Sequence, residues 1–473
     1  MRSVSRVRTL SWVVVALASA LLVAAVHARL GARTPPPVAR AERAPAPTVA
    51  PSAPVDIAAA RAAPTVLWVT GDVLLDPSFR RSGAAAGDPA EIYAAMVAPV
   101  AKHWREDGDA ATVVVNLESP VATLRREPDA YLADAEAIFA ETGHRRIPSP
   151  LNAPESLLAA LSRAGVDVVD VANNHALDQD RAGLGETLDA AHAHGLVTLG
   201  GGRGDDDARR ALMLGERGAR IALLATFVRD HGEPSRLGPS EPRLDVVDAR
   251  TLDEVRRAAA ESDAVVVVVH VVAELLSRPT PSTRLLAAAL VAAGADAVIV
   301  HGPHVIAPVE RVESGGRSGV VAYSLGNFVS DMGKDARPGR ISPERSRASE
   351  PDLDKWHDPR TRSGLAARIS LTPGEPLDVA FLPTWMHSDR FLLDQGLARP
   401  PITFTVEPLA ACGPPLALRT TWPREASLEM QTWVAWHRDT ALDTARLSSA
   451  ECARCASEAP CRWLGEALLL RPR

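Results

Sequence analysis

An α/β fold is what this 473-residue chain predicts, on three observations. Apolar runs rich in β-branched residues alternate with helical stretches between Thr65 and about His387. Several runs are nearly continuous, as strands buried on both faces require. Polar residues recur just past the carboxyl ends of those runs.

The opening strand "TVLWVT" leads into Gly71-Asp72, and "ATVVVNLE" places Asn116 and Glu118 at the close of its own apolar run. "APESLLAALSRAG" has helical spacing closed by Gly165 and precedes the strand "VDVVDVA", which ends in Asn173, Asn174 and His175. "TLDEVRRAAAES" is another helix, and "DAVVVVVH" a buried strand ending at His270. "STRLLAAALVAAG", with Gly294 as its carboxyl cap, leads into "ADAVIV" and then "HGPH", His301 to His304. "GVVAYSL" runs into Gly326-Asn327-Phe328, and "LAARISLTP" and "DVAFLPTWM" supply two closing strands.

In sheets built from β-α-β units the carboxyl ends of neighbouring strands share one edge, and ligands sit in the crevice outside it. Asp72, Glu118, Asn174, His270, His301 and His304 are therefore expected to converge. Two carboxylates, an amide oxygen and three imidazoles form a ligand set for one or two divalent cations. Mixed oxygen and nitrogen donors suit manganese, iron or zinc better than magnesium.

Outside this unit the chain reads differently. Arg2, Arg6 and Arg8 precede the uncharged stretch "LSWVVVALASALLVAAVHA", a basic region followed by an apolar one, so residues 1–30 are expected to be a signal peptide or a signal anchor. Residues 31–64, with "TPPPVARAERAPAPTVAPSAP", are too poor in large apolar side chains to fold and are stiffened by proline. They form a linker. The expected location is outside the cytoplasm, either membrane-anchored or periplasmic. Cys412, Cys452, Cys455 and Cys461 lie in the segment 391–473, where an even count in an exported chain favours disulfides over a zinc site. Residues 331–363 are charged and aperiodic and read as a surface insertion in a domain spanning 65–390; Trp356 and His357 lie within it. Net charge is -6 with acids and bases interspersed. Nucleic acid is excluded as a partner on that ground.

Six stretches, in order, resemble the CapA-like capsule-synthesis family associated with poly-γ-glutamate: "GDVLL", "NLESP", "ANNHALD", "HVVAE", "AGADAVIVHGPHVIAPVE" and "YSLGNF". The resemblance implies a metallophosphoesterase-like α/β/β/α sandwich. It also implies roles by position. Asp72 resembles the first-strand ligand, Glu118 the bridging acid, Asn174 the asparagine ligand and His175 the histidine that protonates a leaving group. His270 resembles the single histidine ligand, and His301 and His304 the closing pair. Asn116, Asn173, Asp178, Glu274 and Asn327 are expected to support these groups. The chain departs from the wider superfamily where Leu74 replaces a ligand histidine and where two residues separate the closing histidines. Val300 and Asp180 stand at usual glycine positions of the family.

Blander readings stand beside these. Asn173-Asn174 is also a turn signal, His270 with Glu274 a candidate surface ion pair, and His192 and His194 candidate caps of a helix end. Three functions follow: a metal-dependent phosphoesterase, an accessory of a membrane synthase handling an anionic polymer, or a tether. The expected partners are accordingly the membrane, synthase subunits, and an anionic polymer or phosphoester substrate.

Overall fold

The computed structural model describes residues 64–75, 89–108, 111–125, 150–228, 241–330, 332–333, 358–388, 404–408, 462–464 and 467–469. The apolar amino-terminal stretch, the linker, most of the insertion with Trp356 and His357, and the four cysteines lie outside the described residues. No helix among the described residues is long and apolar enough to cross a membrane.

Two sheets carry the fold. The first contains β1 (Thr65–Leu74), β2 (Ala111–Leu117), β3 (Val168–Asp170) and β4 (Val197–Leu199), all parallel. β13 (Asn327–Ser330) also runs parallel to β1. On the other side of β1 the sheet continues antiparallel through β14 (Ser363–Leu371), β15 (Asp378–Ser388) and β16 (Phe404–Pro408). The sheet thus reaches past residue 390, and Phe404–Pro408 belongs to its edge.

The parallel centre of the second sheet is β7 (Ile221–Val228), β9 (Ala264–Val271), β10 (Ala297–His301) and β12 (Arg317–Ala322). Its antiparallel edges are β6 (Leu212–Leu214) and β11 (Val309–Ser314). The strand order is β11-β12-β10-β9-β7-β6. Two small ribbons, β5 (Gly201–Arg203) with β8 (Pro242–Leu244) and β17 (Arg462–Leu464) with β18 (Ala467–Leu469), stand apart.

Strand alternation in the second sheet assigns its two faces. Ile221, Leu223, Ala264, Val266, Val268, Ala297 and Ile299 share one core with the first sheet. Ala222, Leu224, Val265, Val267, Val298 and Val300 pack instead against Val255 and Ala258 of α5 (Thr251–Glu261) and against Ala287, Leu290 and Val291 of α6 (Pro281–Ala293). The first sheet is covered on its outer face by α1 (Pro89–Glu106), α2 (Ser156–Arg163) and α3 (Asp180–Ala193). Trp104 of α1 meets Trp68 of β1 edge-on at 6.4 Å between ring centroids. A short α4 (Asp205–Ala208) follows β5. This is a mixed α/β arrangement in four layers.

Local signals explain the boundaries. Thr280 caps α6 by accepting from the Thr283 N–H at 3.1 Å, Pro281 occupies its first turn, and Gly294 closes it. The run read as "VDVVDVA" stays in the sheet only to Asp170, because the Asp170 carboxylate accepts the Ala172 N–H at 2.8 Å and bends the chain out of the ladder. β1 in turn outlasts its apolar run and continues to Leu74. In the segment read as the end of a surface insertion, Asp358, Arg360, Thr361 and Arg362 are buried, each at most 5% exposed. Their charges do not bring them to the surface because Asp358 and Arg360 neutralise each other and the Arg362 Nε–H is taken by the Gly333 carbonyl at 2.9 Å. The side chains of His192 and His194 do not cap carbonyls; they reach Thr198 and Glu155.

Asp180 has φ 62°, the left-handed region that favours glycine. Its carboxylate compensates by accepting the Gly183 N–H at 3.1 Å. Asp180→Ala and Asp180→Gly both lose that bond, so the difference between them isolates the backbone term. The alanine variant is expected to be less stable than the glycine variant by about 1–2 kcal/mol in urea unfolding.

Candidate metal centre

The centre lies at the carboxyl rim between the two sheets. Register places Asp72, Asn116 and Asp170 side by side across β1, β2 and β3. On the facing sheet it places His301, His270 and Phe227 side by side across β10, β9 and β7. Residues in register on parallel strands project to the same face, so a polar row on the first sheet opposes a row with two histidines on the second.

Asp72 and Glu118 have no exposed surface, and His270, His301 and His304 are almost as fully enclosed. Asp72 Oδ1 accepts from Asn116 Nδ2 at 2.8 Å; its Oδ2 lies 3.1 Å from His304 Nδ1 and 3.3 Å from the Gly302 N–H. Glu118 follows β2 directly, and its N–H is anchored on the Val73 carbonyl at 2.9 Å. His270 Nε2 and His304 Nε2 both stand 3.6 Å from Glu118 Oε1. The carboxylate of Asp72, that of Glu118 and a ring nitrogen of His270 all lie within 4.8 Å of one another. That spacing and donor chemistry fit one divalent cation.

The remaining expected residues fall around this core. His301 Nε2 is 2.9 Å from the Thr70 carbonyl, which fixes the proton there and leaves Nδ1 enclosed, without a hydrogen-bond partner among the described residues. Asn174 is half-buried, and its side-chain oxygen is likewise enclosed and unbonded. Asn173 donates to Asn116 Oδ1 at 3.1 Å and to the Leu117 carbonyl at 2.9 Å, while its own oxygen accepts the His175 N–H at 3.2 Å. The asparagine pair is thus a braced turn. His175 Nδ1 is 2.8 Å from Asp178 Oδ2, and that same oxygen accepts the Leu151 N–H at 2.7 Å. Asn327 Oδ1 is 3.0 Å from His304 Nδ1. Glu274 is exposed beyond β9; His270 is paired with Glu118 inside the fold, not with Glu274 at the surface.

Electrostatics follow from this enclosure. Burial works to raise the Asp72 carboxyl, but the His304 hydrogen bond and the nearby imidazoles outweigh it and hold the group well below the usual carboxylate range. Burial pushes His270 down to about 3 and also lowers His301. Burial opposes charge on His304 too, yet Glu118 and Asp72 overcome it and raise that ring to about 9. Two buried carboxylates thus draw one positive charge into the site. A divalent cation between the same carboxylates would supply that charge instead, at the expense of the proton.

Backbone strain marks the same place. His304 has φ 59° and Gly302 φ 98°. A Cβ on Gly302 would lie 2.0 Å from the Val271 carbonyl oxygen and 2.9 Å from His270 Nε2, so only glycine fits. Leu275, at φ 62°, ties the next loop in by donating to the Pro303 carbonyl at 2.9 Å.

Two neighbouring residues bear on the centre, and sequence reasoning missed one of them, Thr361. Leu74, at the position of an absent ligand histidine, packs with Leu151 and Met332 in a small apolar cluster. Thr361 was hidden in an aperiodic segment; its carbonyl accepts from Asn327 Nδ2 at 2.9 Å and so aims the amide oxygen at His304.

The family described as "Bacterial capsule synthesis protein PGA_cap" matches residues 66–332. The chain belongs to this family. The capsule biosynthesis protein CapA of Bacillus anthracis is 30% identical over 190 residues, covering 39% of this chain and 44% of that protein. The PGA biosynthesis protein CapA of Bacillus subtilis (strain 168) is 33% identical over 174 residues, covering 35% and 43%. This PGA_cap chain therefore spans under half the length of either relative in the matched region. Among solved structures, a hypothetical protein from Thermus thermophilus is 16% identical, covering 72% of this chain and 99% of that chain, with a TM-score of 0.31. A phosphatase of Mycoplasma pneumoniae gives 12%, 68%, 94% and 0.34, and the Thermus thermophilus sulfate thiohydrolase SoxB gives 12%, 79%, 61% and 0.33. With scores this low, the fold is read from the sheets themselves.

Asn116 gives an amide hydrogen to Asp72 and its oxygen to Asn173, and its Nδ2 lies 3.3 Å from His270 Nδ1. Replacing it by alanine removes an orienting partner from two candidate ligands at once. Asn116→Ala is expected to weaken Mn2+ binding, measured by calorimetry, about 10- to 100-fold while the protein stays folded by circular dichroism.

Proposed function

We propose that this PGA_cap protein is exported, held at or beyond the membrane, and acts in the synthesis or transport of a poly-γ-glutamate-type polymer through a divalent-cation centre in a metallophosphoesterase-like frame. The observation that carries the proposal is the buried Asp72–Glu118–His270 cluster inside the span that matches the family. Export and membrane attachment are supported by Arg2, Arg6 and Arg8 ahead of the apolar stretch from Leu10 to Ala28. Membrane synthase subunits are the partners this reading calls for.

Asp72, Glu118 and His270 would hold the cation, with His304, which lies against both carboxylates, and the enclosed side-chain oxygen of Asn174 as the groups that would complete its ligands. Manganese, iron or zinc fit this donor set better than magnesium. When bound, such a cation lowers the pKa of a water and polarises a phosphoryl oxygen.

A second reading, hydrolysis of an envelope phosphoester, is favoured by one specific pair. Asp178 fixes the His175 ring through Nδ1 and leaves Nε2 as the nitrogen that can pass a proton to a leaving oxygen. An accessory role without chemistry gives that pair no task.

Metal analysis of the purified protein together with hydrolysis of bis-p-nitrophenyl phosphate separates these readings. The proposal expects about one Mn2+, Fe2+ or Zn2+ per chain, lost in Asp72→Asn. If the protein is a phosphoesterase, His175→Asn should retain metal and lose about 100-fold or more in turnover. Metal without turnover assigns the accessory role. No metal in the wild type, together with equal behaviour of Asp72→Asn, would remove the centre.

A further inference from the structure

One short buried segment carries donors that the centre described above does not use. Pro359–Arg362 forms a single 3-10 turn, closed by the Ser363 N–H on the Arg360 carbonyl. Side chains three residues apart eclipse on such a turn, so Arg360 and Ser363 share one side of it. Both are almost wholly enclosed, at 5% and 2% exposure. The Arg360 guanidinium is gripped by Asp358 through Nε, at 3.1 and 3.0 Å from the two carboxylate oxygens, and through Nη2 at 2.6 Å. Among the described residues its Nη1 has no hydrogen-bond partner, and neither has Ser363 Oγ.

Orphaned donors of this kind are costly. A buried unsatisfied polar group loses about 1–3 kcal/mol, more when it is charged, and such a group calls for a ligand, a water or an ion. Here two donors occur on the same side of one turn, and one of them is cationic with its fork held rigid by Asp358. A planar guanidinium edge and a hydroxyl carried on one side of a turn are suited to oxyanions. The turn is also built into the centre: Thr361 accepts from Asn327, and Asn327 reaches His304.

We propose that Arg360 Nη1 and Ser363 Oγ form an oxyanion-binding subsite that takes a phosphoryl or carboxylate group of the ligand engaged at the neighbouring centre. The subsite deepens the metal reading by adding the anion-recognition element, and its own chemistry needs no cation.

Calorimetric titration of the full chain with inorganic phosphate and, separately, with glutarate, each with and without Mn2+, tests this. Saturable binding of one anion is expected; phosphate points to a phosphoester ligand and glutarate to a carboxylate polymer. Arg360→Met should weaken that binding about tenfold or more, and Ser363→Ala by a few-fold, with Mn2+ uptake unchanged in both. Should Arg360→Met fail to fold by circular dichroism, Arg360→Lys, which keeps the charge and loses the fork, and Ser363→Ala carry the test. Arg360-dependent anion binding in a protein that takes up no Mn2+ would sink the metal centre and leave the subsite standing. Failure of both anions under all conditions, or equal affinities for wild type and variants, means that the donors are satisfied by water, and the subsite is wrong.

Discussion

Two carboxylates without solvent contact, at the ends of adjacent parallel strands, govern the rest of the centre. An uncompensated buried carboxylate costs several kcal/mol, so Asp72 and Glu118 survive only through what surrounds them. Asn116, the Gly302 N–H and His304 all converge on Asp72. His270 and His304 flank Glu118. The strained backbone at Gly302 and His304 is intelligible in these terms, because the loop between β10 and β11 must bring both a peptide N–H and an imidazole within reach of one carboxylate. Strain of this kind persists only where the surroundings over-determine it.

Much of this frame was legible in the sequence for a simple reason: strands buried on both faces stay apolar over most of their length, and polar residues gather towards their carboxyl ends. The break in "DAVVVVVH" at His270 and in "ADAVIVH" at His301 therefore marks the rim directly. Parallel topology then does the gathering, and residues more than two hundred positions apart become neighbours. Asn116 and Asn173 could be placed at the rim, but their task could not be read, because it depends on which amide atom faces which neighbour. The buried turn at residues 358–363 was illegible on different grounds. Charged residues without periodicity read as surface, and only the internal pairing of Asp358 with Arg360 lets them stay inside.

The departures from the motifs that the sequence resembles acquire physical meaning in the same way. Leu74 closes an apolar cluster with Leu151 and Met332 where an imidazole would otherwise enter. The donors that do meet, Asp72, Glu118 and His270, lie within 4.8 Å of one another, close enough to hold a single cation. Asp180 tells a different story: it keeps the left-handed conformation of a glycine turn and offsets the strain with a side-chain bond at the start of α3. One departure changes the chemistry available, and the other only the energetics of a turn.

The division of labour between strands and loops follows from these constraints. Asp72 and His270 are borne on central strands whose positions are fixed by ladders on both sides, and that rigidity is what a charge-dense centre requires. The loops that follow the strands contribute His175 and His304, tied down by particular bonds: Asp178 to His175, Leu275 to Pro303, Asn327 to Thr361. Loops supported in this way can diverge in what they recognise while the strand-borne core keeps its geometry. Asn327 is the point where the two systems join, since it opens β13 beside Asp72 in the sheet and yet orients His304 from the loop.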